Sequence, residues 1–392
     1  MRRTGLATLI VASLAGVTLM AQGGKKVITL GPPPIGPFST AVRAGGFIYV
    51  AGALATGADG TIVGSTAGAQ TTAILKQMGK VLEASGSSME NVAAVMVYLR
   101  NAGDFPAMND AYKAFWPKDP PTRTTVVTNL VLPDALVEVS MVAIPTGGER
   151  TVVHPADWMT SPNPYSYGIK SGDTLFLSGL ISRNGRDNSV VEGDMTAQVK
   201  TVMSNAGAIL KAAGMSFDDV VSSKVYITDT ALFQEMNAAY RTHFTRPPAR
   251  ATVKTALTGP QYNVEITMVA VSGPKDAINT SAQPNPNLSS AIRAGNRLFV
   301  SGMLGNTGTN TGDVGAQTKE TLARVDQVLG AAGFDRSHVV DAVVYLTDVA
   351  NFAAMNSEYR PFFGKDFPAR ATVETGLVAP DGLVEIMFAA VK

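Results

Sequence analysis

Three arginines lie in nearly identical short segments: Pro121-Thr122-Arg123-Thr124-Thr125-Val126, Pro248-Ala249-Arg250-Ala251-Thr252-Val253 and Pro368-Ala369-Arg370-Ala371-Thr372-Val373. Fifteen residues beyond each comes a glutamate, Glu138, Glu265 or Glu385, set between Val and either Val or Ile. An arginine in so apolar a setting is costly to bury unless its guanidinium fork meets a carboxylate. Glutamate is depleted in strands, so an acid in the middle of an alternating apolar run needs a reason. One reading is an internal Arg–Glu salt bridge that holds a terminal hairpin. The other is an arginine that takes a substrate carboxylate on both prongs while the glutamate orients a water. Hairpin register decides between them, and spacing alone does not set it. Asn109, Asn237 and Asn356 recur in a Phe-x-x-Met-Asn-x-x-Tyr segment, where composition favours a helix-surface role. The histidines His154, His243 and His338 occupy non-equivalent places, which excludes a repeated metal cluster or His-based triad. With no cysteine there is no thiol nucleophile, lipid-anchoring thiol or disulfide, and no Gly-rich phosphate loop calls for a nucleotide cofactor.

The elements that carry these residues repeat as well. Phe105-Pro-Ala-Met-Asn109-Asp-Ala-Tyr112 returns at Phe233–Tyr240 and at Phe352–Tyr359, and an apolar strand ending in Gly52, Gly179 or Gly302 lies near the start of each unit. A repeat of this length is a whole domain, which excludes a short solenoid. Three domains are expected, at residues 25–147, 148–274 and 275–392, with linkers at 146–149 and in the Pro-, Ser- and Asn-rich stretch 272–286. In the second unit the periodicity predicts a strand at 174–178 and a helix at 196–213, with Val199, Val202, Ala206, Ile209 and Leu210 on one face and Gly214 after its end. A strand at 220–227, a helix at 231–244 stopped by Pro247-Pro248, and strands at 251–256 and 263–271 follow. That order is α+β, with helices covering one face of a sheet.

The first residues read as a signal peptide over 1–21: Arg2 and Arg3, then an apolar stretch from Leu6 to Met20, then Ala21. A periplasmic or secreted protein is expected, free of the membrane once cleaved. The net charge of +1, without basic runs interleaved with aromatics, gives no footing for nucleic acid.

Together these blocks resemble the Rid proteins, also called the YjgF/YER057c/UK114 family, and the resemblance spans all three units. It implies a chorismate-mutase-like α+β fold in each unit. Members of the family assemble as homotrimers with ligand sites between subunits, so one chain with three units is expected to be a monomer forming an intramolecular pseudo-trimer. RidA-type members hydrolyse small 2-imino acids, or their enamine tautomers, to 2-keto acids and ammonia without a cofactor or metal. The resemblance makes Arg123, Arg250 and Arg370 the carboxylate receptors and gives Glu138, Glu265 and Glu385 the attacking water. Gly52, Gly179 and Gly302 would line the clefts with Asn109, Asn237 and Asn356. Ser178 and Ser301 precede the cleft glycine where the first unit has Ala51, and the cleft tyrosine is present only as Tyr165, with Phe38 and Leu288 in its place elsewhere. Thr125, Thr252 and Thr372 stand where this branch often has cysteine. The middle unit is thus the most complete. An alternative is a binding or protein-stabilising module that uses the same clefts without chemistry. Ribonuclease activity, also reported within the family, fits poorly with the balanced charge.

Overall fold

A computed structural model describes residues 24–31, 34–281 and 283–392, so the expected signal segment at 1–21 lies outside the described residues. The chain forms three α+β units, each a mixed sheet with two helices on one face. The long helices Ala67–Ala84, Met195–Ala212 and Val314–Ala331 start where the side chains of Thr66, Asp194 and Asp313 accept backbone N–H groups of the first turn. Every residue assigned to the apolar face of the second helix is buried in that unit's core. The second helices, Phe105–Lys113, Phe233–Tyr240 and Phe352–Phe363, are shorter than the pattern predicts in the middle unit, where 3₁₀ turns flank the α-helical segment.

The two strands that carry the arginine and the glutamate are not a hairpin. A middle strand, Val92–Leu99, Val220–Ile227 or Val339–Leu346, lies between them. It runs parallel to the Arg strand and antiparallel to the Glu strand. Register then separates the two charges. Arg123 lies opposite Val95, which packs beneath the helices, whereas Glu138 lies opposite Tyr98, three residues on and on the other face. Arg250 and Glu265 are placed likewise against Ser223 and Tyr226, and Arg370 and Glu385 against Ala342 and Tyr345. An internal salt bridge across a terminal hairpin is therefore ruled out by the pleat: within one unit the two side chains leave opposite faces of the sheet.

The faces turned away from the helices meet one another. Tyr98, Tyr226 and Tyr345 pack in one shared core together with Met96, Val343, Ala251 and Ala371. Sheet edges join in the same cyclic sense. Ala256–Leu257 of the second unit pairs with Val126 and Val127, Gly376–Leu377 of the third pairs with Val253 and Lys254, and Leu130 of the first bridges to Val373. Each Arg strand thus ends against a neighbour, which protects an edge that would otherwise stand open. The stretch 272–286 is not wholly a linker, because Lys275–Ile278 forms the outer strand of the third sheet against Ala291–Ala294.

Candidate functional site

The junctions place the arginine of one unit against the glutamate of the next. In the first junction Arg123 and Thr125 face Tyr165, Ser178, Gly179 and Glu265. The second joins Arg250, Asn237 and Thr252 to Ser301, Gly302 and Glu385. The third closes the ring, with Arg370, Asn356 and Thr372 against Phe38, Gly52 and Glu138.

The glutamates reach the junctions through a break in strand pairing. Register slips between Val50 and Ala53 and between Val300 and Met303, and pairing in the second unit is interrupted between Phe176 and the Leu180–Ile266 bridge. The glycine in each break makes room: a Cβ on Gly52, Gly179 or Gly302 would overlap the carboxylate of Glu138, Glu265 or Glu385 respectively. Glu265 Oε1 accepts the Thr125 backbone N–H at 3.3 Å from the neighbouring unit, and Glu138 and Glu385 accept those of Thr372 and Thr252. Burial pushes all three glutamates up to about 8, and the backbone donor and facing arginine recover only part of the shift.

Each arginine is buried with its guanidinium over an aromatic ring of its own unit's second helix. The guanidinium carbon stands 4.9 Å from the ring of Tyr112 for Arg123, 4.9 Å from Tyr240 for Arg250 and 4.7 Å from Tyr359 for Arg370. Phe105, Phe233 and Phe352 flank them in turn, and Tyr165 and Phe38 come from the neighbouring units. The sequence reading missed this helix pair, although Phe105, Asn109 and Tyr112 already stand one helical face apart at i, i+4 and i+7.

Among the described residues none of these arginines makes an ion pair. Nη1 of Arg123 and Nε and Nη1 of both Arg250 and Arg370 are buried without hydrogen-bond partners. Glu138 Oε2, Glu385 Oε2 and the hydroxyls of Thr125, Thr252 and Thr372 are likewise unpartnered. A buried polar group left unsatisfied costs about 1–3 kcal/mol, more if charged. Each junction thus gathers buried guanidinium and hydroxyl donors that have no partner among the described residues.

Two expectations are corrected here. The helix-surface role for asparagine fails, since Asn237 is buried with its Oδ1 accepting from Arg250 Nη2 at 2.7 Å and Asn356 is buried beside Arg370. Asn109 instead donates to Asn163 at 3.3 Å. Ser178 and Ser301 are committed to the scaffold. Their hydroxyls accept the backbone N–H of Arg123 and Arg250 at 2.9 and 2.8 Å and donate to the carbonyls of Ser166 and Ser289. They fix the Arg strand instead of offering a free hydroxyl. Tyr165 and Ser178 of the second unit serve Arg123 of the first, so the residues that made the middle unit look most complete act at the first junction and are shared between two units.

The chain matches the family described as Endoribonuclease L-PSP over residues 29–145, 157–272 and 279–392. It belongs to that family, the Rid family that its motifs resemble. A 3-aminoacrylate deaminase RutC of Acinetobacter baylyi is 35% identical over 113 residues, 29% of this chain and 90% of that protein. The mouse 2-iminobutanoate/2-iminopropanoate deaminase is 32% identical over 126 residues, 32% of this chain and 93% of its own. A crystal structure of a chorismatase superposes on 77% of the chain and 93% of its own with a TM-score of 0.51 at 16% identity, a likeness of fold alone.

Proposed function

We propose that the chain is an imine and enamine deaminase that hydrolyses small 2-imino acids at its inter-unit junctions. The observation that carries this reading is the buried guanidinium of each arginine, with no ion pair and at least one unpartnered nitrogen, facing a glutamate from the next unit. The substrate carboxylate takes the fork as a bidentate, charge-assisted pair. That places the C=N carbon toward the glutamate. The ionised glutamate takes a proton as water adds to the carbon and returns it to the imine nitrogen, giving a neutral carbinolamine. It then takes the carbinolamine hydroxyl proton as the C=O bond forms and the C–N bond breaks, and passes that proton to the departing nitrogen, so that ammonia and the 2-keto acid leave with the glutamate ionised again. The imine carbon is already electrophilic, so placement and a single proton relay suffice. The single chain, with its three units edge to edge, acts as an intramolecular pseudo-trimer in this reading, and its native mass is that of one chain.

A second reading, capture of small carboxylates without turnover, is favoured by the raised glutamates, which are mostly neutral at pH 7 in the empty junction. One experiment separates the two. 2-Iminopropanoate or 2-iminobutanoate is generated in situ by an amino-acid oxidase, and keto-acid release is followed with and without the protein. Acceleration is expected. No acceleration, with pyruvate or 2-oxobutanoate still binding, establishes the second reading.

A further inference from the structure

The middle strands send three layers of side chains into the space where the units meet. Tyr98, Tyr226 and Tyr345 form one layer, Met96, Lys224 and Val343 the next, and Ala94, Ser222 and Asp341 the third. The tyrosines are wholly buried and close one end. Beyond them is a cavity of about 150 Å³ lined by all three units, with Tyr49, Phe176 and Phe299 in its wall. Arg297, also in the wall, is satisfied by Asp173 at 2.6 Å and Thr174 at 2.5 Å. Lys224 and Asp341 are not so placed. Lys224 and Asp341 attract each other through space but stand beyond ion-pair distance; among the described residues Lys224 has no hydrogen-bond partner, and Asp341 has the backbone N–H of Ala342. Each stands in a layer whose other two positions are uncharged.

Two opposite charges that line one cavity without closing into an ion pair define a narrow ligand class. A lone anion or a lone cation would compensate one charge and leave the other bare, at a high cost in such surroundings. A neutral apolar molecule would compensate neither. A small zwitterion satisfies both and carries no net charge inward. The volume equals roughly five waters at ~30 Å³ each, room for a two- or three-carbon amino acid.

We propose that this axial cavity binds one small α-amino acid per chain, its carboxylate on Lys224 and its ammonium group on Asp341. The site is separate from the three junctions and independent of what they do. Burial lowers the lysine and raises Asp341 to about 6, a penalty that a bridging ligand would relieve.

The test is calorimetric titration of the full chain with glycine and with L-alanine. One equivalent is expected to bind, with glycolate and methylamine each weaker by roughly tenfold or more because each lacks one charged contact. Lys224→Met and Asp341→Ala are expected to weaken glycine by a similar factor, while Arg123→Ala, Arg250→Ala and Arg370→Ala combined leave it unchanged. Met96 and Ala94 already occupy these layer positions in the first unit, so both variants repeat side chains that the ring accommodates. The wild-type titration decides even where a variant fails to fold. No heat with glycine, or three equivalents bound, overturns the proposal, as does unchanged affinity in the folded Lys224→Met protein.

Discussion

Removing the guanidinium fork tests the junctions most directly. In Arg123→Ala the substrate carboxylate would enter a buried space with no counter-charge, while the Tyr112 and Phe105 rings that support Arg123 remain. Breaking one partner of a buried charge pair costs about 3–5 kcal/mol. At 1.4 kcal/mol per decade that is roughly a 140- to 4,000-fold loss of kcat/KM at that junction. The whole chain loses less, because two junctions continue to turn over. If the three were equal, the single variant would retain about two-thirds of the activity, and only the triple variant with Arg250→Ala and Arg370→Ala would approach the full loss. They are not equal. Arg123 alone has Tyr165 over its guanidinium, and unlike Arg370 its backbone N–H is fixed by a serine hydroxyl. Arg123→Ala is therefore expected to remove more than half of the turnover. The assay is keto-acid release from in situ 2-iminobutanoate, with thermal unfolding checking that each variant is folded. A folded triple variant at the wild-type rate would refute the assignment of the arginines. Greater loss in Arg250→Ala or Arg370→Ala than in Arg123→Ala would refute the ranking.

The raised glutamates make two further outcomes calculable. With a pKa of about 8, only about a tenth of each glutamate is the carboxylate at pH 7, so kcat/KM should rise with pH through a midpoint at about 8 and level off only above it. A flat profile would remove glutamate as the base. The folded state holds protons on these groups that the unfolded chain gives up from about pH 4.5 upward. That contribution to stability is complete below about 4.5 and lost as pH rises through about 8. Urea midpoints should fall over that window, and combined Glu138→Gln, Glu265→Gln and Glu385→Gln should flatten the trend. Gly179→Ala should displace Glu265 and silence the first junction, since the added methyl would also stand 2.9 Å from Thr124 Cγ2. A crystal structure with Glu265 unmoved and turnover intact would contradict this. Tyr240→Leu should weaken carboxylate binding at the second junction by about 0.5–2 kcal/mol, the loss of a cation–π support, where Tyr240→Phe should not. Equal effects of the two changes, measured by titration in an Arg123→Ala, Arg370→Ala background, would assign the role to the hydroxyl.

How far the sequence carried depended on the range of each interaction. Helix faces, strand runs and the domain period are local, and the core positions of the helix at Met195–Ala212 could be read off its periodicity. The site residues could be named for the same reason, since each is part of a repeated block. Their partnership could not. Arg123 and Glu138 are fifteen residues apart in sequence yet on opposite faces of one sheet, because a middle strand intervenes and the pleat alternates. The glutamate that Arg123 faces is Glu265, a whole domain away. Spacing therefore left an internal salt bridge open as one of two readings, and the fold closes it by setting the two side chains on opposite faces of the sheet.

That same geometry bears on why the chain is tandem. In a ring of identical units every junction must be the same, and any charge placed on the shared axis appears three times. Joining the units in one chain lifts both constraints. Tyr165 can stand at one junction while Phe38 and Leu288 hold its place at the others, and Lys224 and Asp341 can each occur once in the axial layers. Three lysines around one small cavity would repel and could not all be desolvated. One lysine and one aspartate can. The asymmetry among the units thus reaches the junctions and the axis, the two places where it would alter ligand chemistry, while the Arg, Glu and Gly positions at the junctions stay threefold.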